Sequence, residues 1–294
     1  MMQKQIVALG FFDGVHLGHQ ALLRACAELA RQLGVSTAAI TFENHPQSLF
    51  SKEIPPLLTT LADRQRLLRR YGMEQIYAFP VTKEVMSTEW RHFLDQLVAR
   101  GAVGFVCGDD FRFGFRGQGN EEKLRAYCAE QGLPCVIIPE QTMDDTRVSS
   151  TYIRRQIEDG DMATAVRFLG HAHHLTGEVI SGRKIGRSIG VPTANLLIPE
   201  GIVVPKFGVY ACRVARGGRG YCAVANVGTR PTVGGHRITV EPWILDFEGD
   251  LYGKELTLEF HKFLRPERKF ESLEDLRTEI RKNAEQTREF FKES

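Results

Sequence analysis

The 294-residue sequence predicts an α/β chain in two parts. Residues 1–169 predict a doubly wound parallel sheet, and residues 170–294 a small antiparallel β-barrel with a C-terminal helix. Three observations predict this. Short continuous apolar runs alternate with helical periods in the first part, as in strands buried on both faces. After Gly170 the pattern changes to alternating segments separated by glycine-rich turns. A final amphipathic stretch has the period of a helix.

Taken in order, Ile6–Leu9 reads as a buried strand. Leu17–Leu33 reads as a helix with Leu22, Leu23, Cys26, Leu29, Ala30 and Leu33 on one face and Gly34 as its stop. Val35–Phe42 is the next strand. Thr60–Tyr71 is a helix with a T-x-x-D start and Gly72 after it. Ile76–Phe79 is a strand, Ser87–Arg100 a helix, Val103–Cys107 a strand, Asn120–Gln131 an Asn-capped helix and Cys135–Pro139 the last strand. Ser149–Asp159 and Asp161–Leu169 read as two short helices stopped by Gly160 and Gly170. "RGGRG" between two strand patterns signals a hairpin. The last helix runs from about Ser272, with an S-x-x-D cap, to about Phe291.

Composition bounds the function. Hydrophobic residues at 43% and charged residues at 25% are those of a soluble globular protein. A net charge of +2 gives no support to a nucleic-acid binder that relies on a basic surface. No apolar run approaches the roughly 20 residues needed to span a membrane, and the apolar part of the N-terminus is too short for a signal peptide. These points predict a cytoplasmic protein with no membrane or nucleic-acid partner. Cys26, Cys107, Cys128, Cys135, Cys212 and Cys222 form no C-x-x-C pair and read as reduced structural thiols.

In a parallel sheet, ligands sit beyond the carboxyl ends of the strands. Three polar loops, Phe11–His19, Thr41–Pro46 and Gly108–Gly117, follow such ends, the first and third rich in glycine. "GFFDGVHLGH" places His16 and His19 where a loop becomes a helix. A helix start offers unpaired N–H groups and partial positive charge, so it receives phosphate. Two imidazoles at i and i+3 would face it together. A capped turn with part-buried histidines explains the same spacing. "RVSSTYIRR" opens another helix with Ser149, Ser150 and Thr151, followed by Arg154 and Arg155. Hydroxyls with a nearby cation suit the outer phosphates of a nucleotide, and a plain N-cap with solvated arginines is the alternative. No Walker-type G-x-x-x-x-G-K-[ST] is present.

In the second half, "SGRKIGRSIGVPTANL" sets Arg183, Lys184 and Arg187 among Gly182, Gly186 and Gly190. Such a loop cradles phosphates or is simply a flexible surface loop. If Thr193–Leu196 is extended, Thr193 and Asn195 point to one face. Their oxygens could then share a hard cation such as Mg²⁺ with ATP oxygens, or they are a structural pair.

"GFFDGVHLGH", "TFENHP", "CGDDFRFGFRGQG" and "SSTYIR" occur in the order found in the nucleotidyltransferase superfamily. More closely, they resemble the N-terminal half of the bacterial bifunctional riboflavin kinase/FMN adenylyltransferase (FAD synthetase) family. "GRSIGVPTANL", "FGVYACRV", "NVGTRPTVGG", "EPWILDFEGDLYGKELTLEF" and "FLRPERKF" are similar to the riboflavin kinase motifs, also in order. The resemblance covers nearly the whole chain. It implies a Rossmann-like nucleotidyltransferase domain over residues 1–169 and a riboflavin kinase domain over residues 170–294. The implied reactions convert riboflavin and ATP to FMN, then FMN and ATP to FAD and pyrophosphate, with Mg²⁺.

The resemblance also implies site residues. His16 and His19 would contact the ATP phosphates, with Gly10, Phe11, Phe12 and Asp13 in the same ATP/FMN-binding loop. Ser149, Ser150 and Arg154 would hold the leaving pyrophosphate. Asp110 and the rings of Phe111, Phe113 and Phe115 would border the flavin; a period-two core face is the plain reading of those rings. In the kinase, Gly182, Arg183, Gly186, Arg187 and Arg265 would bind ATP or riboflavin, and Thr193 and Asn195 the metal and nucleotide. Glu241 would be the general base for the riboflavin 5′-hydroxyl.

Two stretches depart from the family pattern. Pro242 and Trp243 follow Glu241, and Pro242 suggests an edge or a bulge. His171, His173 and His174 stand in an expected linker and read as structural or solvated. An enzyme alternative keeps only the FMN adenylyltransferase, with a non-catalytic flavin-binding C-terminal domain. A non-enzymatic flavin-binding protein on the same scaffold does not need both histidines, Arg154, Thr193, Asn195 and Glu241.

Overall fold

A computed structural model describes residues 3–49, 51–180, 190–216, 219–232 and 235–292. The chain divides into two compact units. One comprises Met1–Leu57 and Leu61–Ser150, the other Leu58–Thr60 and Thr151–Ser294.

The first unit alternates strand and helix. It runs β1 (Gln5–Leu9), α1 (Leu17–Leu33), β2 (Ser36–Phe42), α2 (Leu61–Arg70), β3 (Gln75–Phe79), α3 (Lys83–Met86), α4 (Trp90–Ala99), β4 (Ala102–Gly108), α5 (Glu121–Gln131) and β5 (Cys135–Ile138). A hairpin of β6 (Thr142–Met143) and β7 (Thr146–Arg147) follows. The five main strands form one parallel sheet in the order β3-β2-β1-β4-β5. Separate apolar clusters cover its two faces. Ile6, Ala8, Leu23 and Cys26 belong to one, and Val7, Leu9, Phe105 and Leu124 to the other. Alternate residues of β1 thus serve opposite cores, which is why its sequence is a continuous apolar run.

Most expected boundaries agree within a residue or two. α1 is capped by Gly34 with φ +64°, and Asn120 caps α5 by accepting from Lys123 N. Two expectations are corrected. Leu33 is 50% exposed and does not join the buried face of α1. The helix expected over Ser87–Arg100 is α4, which starts only at Trp90 behind its cap Glu89, and a separate short helix, α3, capped by Thr82, precedes it unannounced. The carbonyl of Thr88, at the break, accepts from Phe115 N at 2.7 Å instead of from a helical partner.

The second unit takes up the chain within α6 (Ser150–Asp159) and continues with α7 (Met162–Leu169), β8 (His173–Ile180), β9 (Asn195–Leu197), β10 (Gly208–Arg216), β11 (Arg219–Thr232), β12 (Gly235–Ile244), β13 (Glu255–Arg265) and α8 (Leu273–Lys292). α7 packs on β8 and β13, so the two short helices group with the barrel. The strands close in the order β10-β11-β12-β9-β8-β13, with β13 returning to β10. Along β11, Ala223, Ala225 and Val227 are buried on one side of the pleat. On the other side Val224 and Cys222 pack with Ala284 of α8. Ser272 caps α8 as expected, accepting from Asp275 N at 3.1 Å.

The barrel corrects two further expectations. His173 and His174 belong to β8, opposite Phe260 and Glu259, rather than to a linker. Pro242 makes no bulge, since the β11–β12 register is continuous around it, and β12 is no edge strand, since it lies between β11 and β9 in the closed barrel. Its C=O accepts from Ala194 N at 2.9 Å, on the β9 side. The missing N–H therefore faces the short strand β9 just where that strand begins, and the β11 ladder loses nothing.

Candidate active sites

The first site is a cavity of about 510 Å³ within the first unit. Leu9, Ile40, Phe79, Gly108 and Ile138, at the carboxyl ends of the five parallel strands, form part of its lining. The cavity therefore lies where the strand order turns back across β1, the expected ligand position in such a sheet.

The chain leaves β1 through a tight loop. Phe12, Gly14 and Val15 have φ of 58°, 79° and 43°. A Cβ at Gly10 would stand 2.8 Å from the Phe12 ring, so only glycine allows the loop to fold back on that ring. His16 then caps α1, its Nδ1 accepting from His19 N at 3.4 Å. That contact assigns the proton of the neutral His16 ring to Nε2. The His16 and His19 rings stack with centroids 3.6 Å apart and planes 15° from parallel. His19 Nδ1 is buried without a hydrogen-bond partner among the described residues. Burial, then His16, then Arg64 hold the His19 pKa well below its ordinary 6.5. His19 is accordingly a neutral donor or acceptor, and an arriving anion would raise its proton affinity.

Gly10, Phe11, His16, His19, Asp110, Ser149 and Ser150 all line this cavity. Phe12 and Asp13 stand behind the wall. Phe12 is a buried core residue whose ring meets His19 edge to face with centroids 5.3 Å apart, and the Asp13 carbonyl accepts from Ser150 Oγ at 2.9 Å. That bond ties the start of α6 to the histidine loop. Arg154 is buried one turn further along α6. Phe111 and Phe113 line the cavity and stack on each other. The period-two core face holds for these two rings, which join the core cluster on that side of the sheet, and stops before Phe115. Gly114, φ +71°, turns the chain and leaves Phe115 39% exposed.

Arg147 was not anticipated. Two positive-φ residues, Asp144 and Asp145, make the turn between β6 and β7. Arg147, on β7, donates to the Asp110 carboxylate and pairs with Glu140 at 2.9 Å. It lines the same cavity two residues before Ser149. The Asp144–Asp145 pair within "MDDT" was the available sequence signal.

The second site lies on the barrel. Leu196 pairs with Val240, so the antiparallel register sets Asn195 opposite Glu241. On the other side of β12, Glu241 is opposite Asn226. Asn226 Nδ2 donates to Glu267 Oε1 at 3.2 Å. Trp243 shares the Glu241 side of the pleat and packs into the cluster under α8. Thr193 precedes β9, and the Ala194–Pro242 bond carries the ladder to within one residue of it. Thr193, Asn195 and Glu241 offer only oxygen donors, the set that suits Mg²⁺ rather than zinc. No group of three or more His, Cys, Asp or Glu able to hold a metal occurs among the described residues.

Arg265 directs Nε to α8 and Nη1 to Pro266 O at 3.0 Å. Nε is 3.2 Å from Glu279 Oε1 and 3.1 Å from Asn283 Oδ1. Burial pulls its pKa down, while Glu279 pushes it up. Gly182, Arg183, Gly186 and Arg187 lie outside the described residues. Among the described residues, no helix is long and apolar enough to cross a membrane. The six cysteines are free.

Comparison with known proteins gives two family matches. A FAD synthetase model matches residues 1–152 and a riboflavin kinase model residues 169–291. Relatives described as bifunctional riboflavin kinase/FMN adenylyltransferase match nearly end to end. The one from Listeria monocytogenes is 36% identical over 98% of this chain and 92% of its own length. The one from Escherichia coli K12 is 35% identical over 97% and 92%. A solved structure from Streptococcus pneumoniae, described as a macrolide-efflux protein, superposes with a TM-score of 0.88 at 31% identity, covering 97% of this chain and 94% of that one.

Proposed function

Because the chain belongs to the family of bifunctional riboflavin kinase/FMN adenylyltransferases, we propose that it makes FMN and then FAD at two separate sites, one in each half. The adenylyltransferase is assigned to residues 1–169 and the riboflavin kinase to residues 170–294, with α6 and α7 belonging by sequence to the first and by compactness to the second. The observation that carries the two-site reading is a separation. The cavity with His16, His19 and Ser150 is lined wholly by residues before Thr151, and the Asn195–Glu241–Asn226 row belongs wholly to the barrel.

In the N-terminal site an FMN phosphate oxygen attacks the α-phosphorus of ATP. The bond to the bridging oxygen breaks and pyrophosphate leaves. The substrate is itself the nucleophile, so the protein positions the groups and stabilises charge. His16 and His19 face the ATP phosphates with Gly10 and Phe11. Ser149, Ser150 and Arg154 hold the departing pyrophosphate, and Asp110, set by Arg147, borders the flavin. Phe12 and Asp13 support the loop from behind.

In the C-terminal site the riboflavin 5′-oxygen attacks the γ-phosphorus of ATP and ADP leaves. Glu241 accepts the hydroxyl proton. Thr193 and Asn195 hold Mg²⁺, which supplies charge neutralisation at the ATP phosphates when bound. The 182–187 glycine–arginine segment binds ATP, and Arg265 acts through α8. Reduced cysteines and a nucleotide-consuming reaction support a cytoplasmic location. The test supplies each acceptor separately with MgATP. FMN alone must yield FAD, and riboflavin alone must yield FMN. Failure of either conversion removes that site's assignment.

A further inference from the structure

Arg64 is the largest fully buried side chain among the described residues. It lies on α2, outside the lining of the N-terminal cavity. Its Nη1 donates to Phe42 O at 2.8 Å and to Thr41 Oγ1 at 3.2 Å. Thr41 Oγ1 in turn donates to Phe11 O at 2.7 Å. The guanidinium carbon stands 4.4 Å from the centre of the Phe11 ring. One cation therefore holds both the end of β2 and the first residues of the histidine loop. Phe11, Phe42 and His19 all line the cavity.

We infer that Arg64 is a positioning residue for adenylyl transfer, clamping Phe11 to the Thr41–Phe42 strand end so that the Gly10–His19 loop has its ATP-receiving shape before ATP arrives. The inference rests on the adenylyltransferase reading of this cavity. Packing alone does not call for this residue. A buried charge is costly, and apolar residues of similar volume commonly replace one without loss. What the guanidinium supplies is one nitrogen, Nη1, that meets two acceptors while the delocalised cation lies against a ring face. It also supplies a permanent positive charge behind a subsite for phosphates, where little water screens it. The charge reaches His19 as well. Around that ring stand His16 from the loop, the Phe12 edge and Arg64 from α2, with Asp13 the acidic group that acts on Arg64.

The test compares Arg64→Gln, Arg64→Lys and Thr41→Val in the full chain. Riboflavin phosphorylation, measured on the same preparations, is the internal control for folding. Arg64→Gln is expected to raise KM for ATP in FAD formation by about tenfold or more and to lower kcat, with riboflavin phosphorylation unchanged. Its His19 ring signals should titrate at higher pH than in the wild type. Arg64→Lys keeps the charge and loses the guanidinium placed over the Phe11 ring. It should leave the His19 titration in place while recovering only part of the ATP affinity. Thr41→Val cuts the link to Phe11 O and should raise KM without moving His19. If Arg64→Gln forms FAD with unchanged KM, the inference is wrong. It is also wrong if the variant loses both activities in parallel and His19 titrates as before. Should Arg64→Gln fail to fold, an unchanged KM in Thr41→Val would overturn it. A wild-type chain that makes no FAD from FMN would instead overturn the reading of the cavity.

Discussion

His16 and His19 stack face to face at 3.6 Å across the first turn of α1. Two protonated imidazoles would not hold that spacing, since like charges so close repel strongly. The pair therefore does not carry two charges, and its His19 member, its pKa lowered by burial and by its neighbours, stays neutral until an anion arrives. It presents N–H donors on a helix start whose own dipole already favours negative charge.

The depressed His19 pKa makes a prediction for stability. Below about 6.5 an unfolded chain protonates this histidine while the folded chain does not. The unfolded state then binds more protons, so stability falls as pH falls, by up to about 1.4 kcal/mol per pH unit for one group. Thermal unfolding of the N-terminal half from pH 7.5 to pH 5 should show this slope, and His19→Gln should flatten it. An equal slope in both proteins would place its source elsewhere.

ATP should reverse the same shift. Phosphates beside His19 favour its charged form, so nucleotide binding takes up protons wherever the free ring is neutral. Calorimetry in buffers of different ionisation enthalpy should detect proton uptake near pH 7. Its persistence at full strength in His19→Gln would count against His19 as the group.

Gly114 tests the flavin wall. An added Cβ would stand 2.5 Å from Trp90 Cα, at φ +71°. Gly114→Ala should destabilise the N-terminal half by about 2–4 kcal/mol. It should also raise KM for FMN, because Phe111, Phe113 and Gly114 share that wall. Riboflavin phosphorylation should not change. A normal KM for FMN would detach this loop from the flavin.

Arg265 separates a helix anchor from a substrate ligand. Its bonds to Glu279 and Asn283 hold α8, so Arg265→Met should lower the stability of the barrel by about 2–3 kcal/mol. A direct ligand would instead show a raised KM with unchanged melting.

Much of the fold was legible because each parallel strand reads as an apolar run, and α1, α5 and α8 carry both an amphipathic period and a capping residue. The His16–His19 pair was legible because it is local, three residues apart at a helix start. What was not legible depends on distant partners. The break between α3 and α4 depends on Phe115 taking the Thr88 carbonyl. The Glu241–Asn195 pairing is a register between strands some 45 residues apart in sequence. Arg147 reaches the first site only through a two-residue hairpin, and Arg64 looks like one more arginine in "DRQRLLRR" until the fold buries it.

The central claim is that two independent sites share one chain. The measurement that tests it most directly follows flavins chromatographically in the crossed variants His19→Ala and Glu241→Gln, each folded and supplied with MgATP. His19→Ala should turn riboflavin into FMN and stop there. Glu241→Gln should turn FMN into FAD and leave riboflavin unphosphorylated, with each lost activity down by about a hundredfold or more. If either variant loses both activities while remaining folded, or keeps both, the two-site account is contradicted.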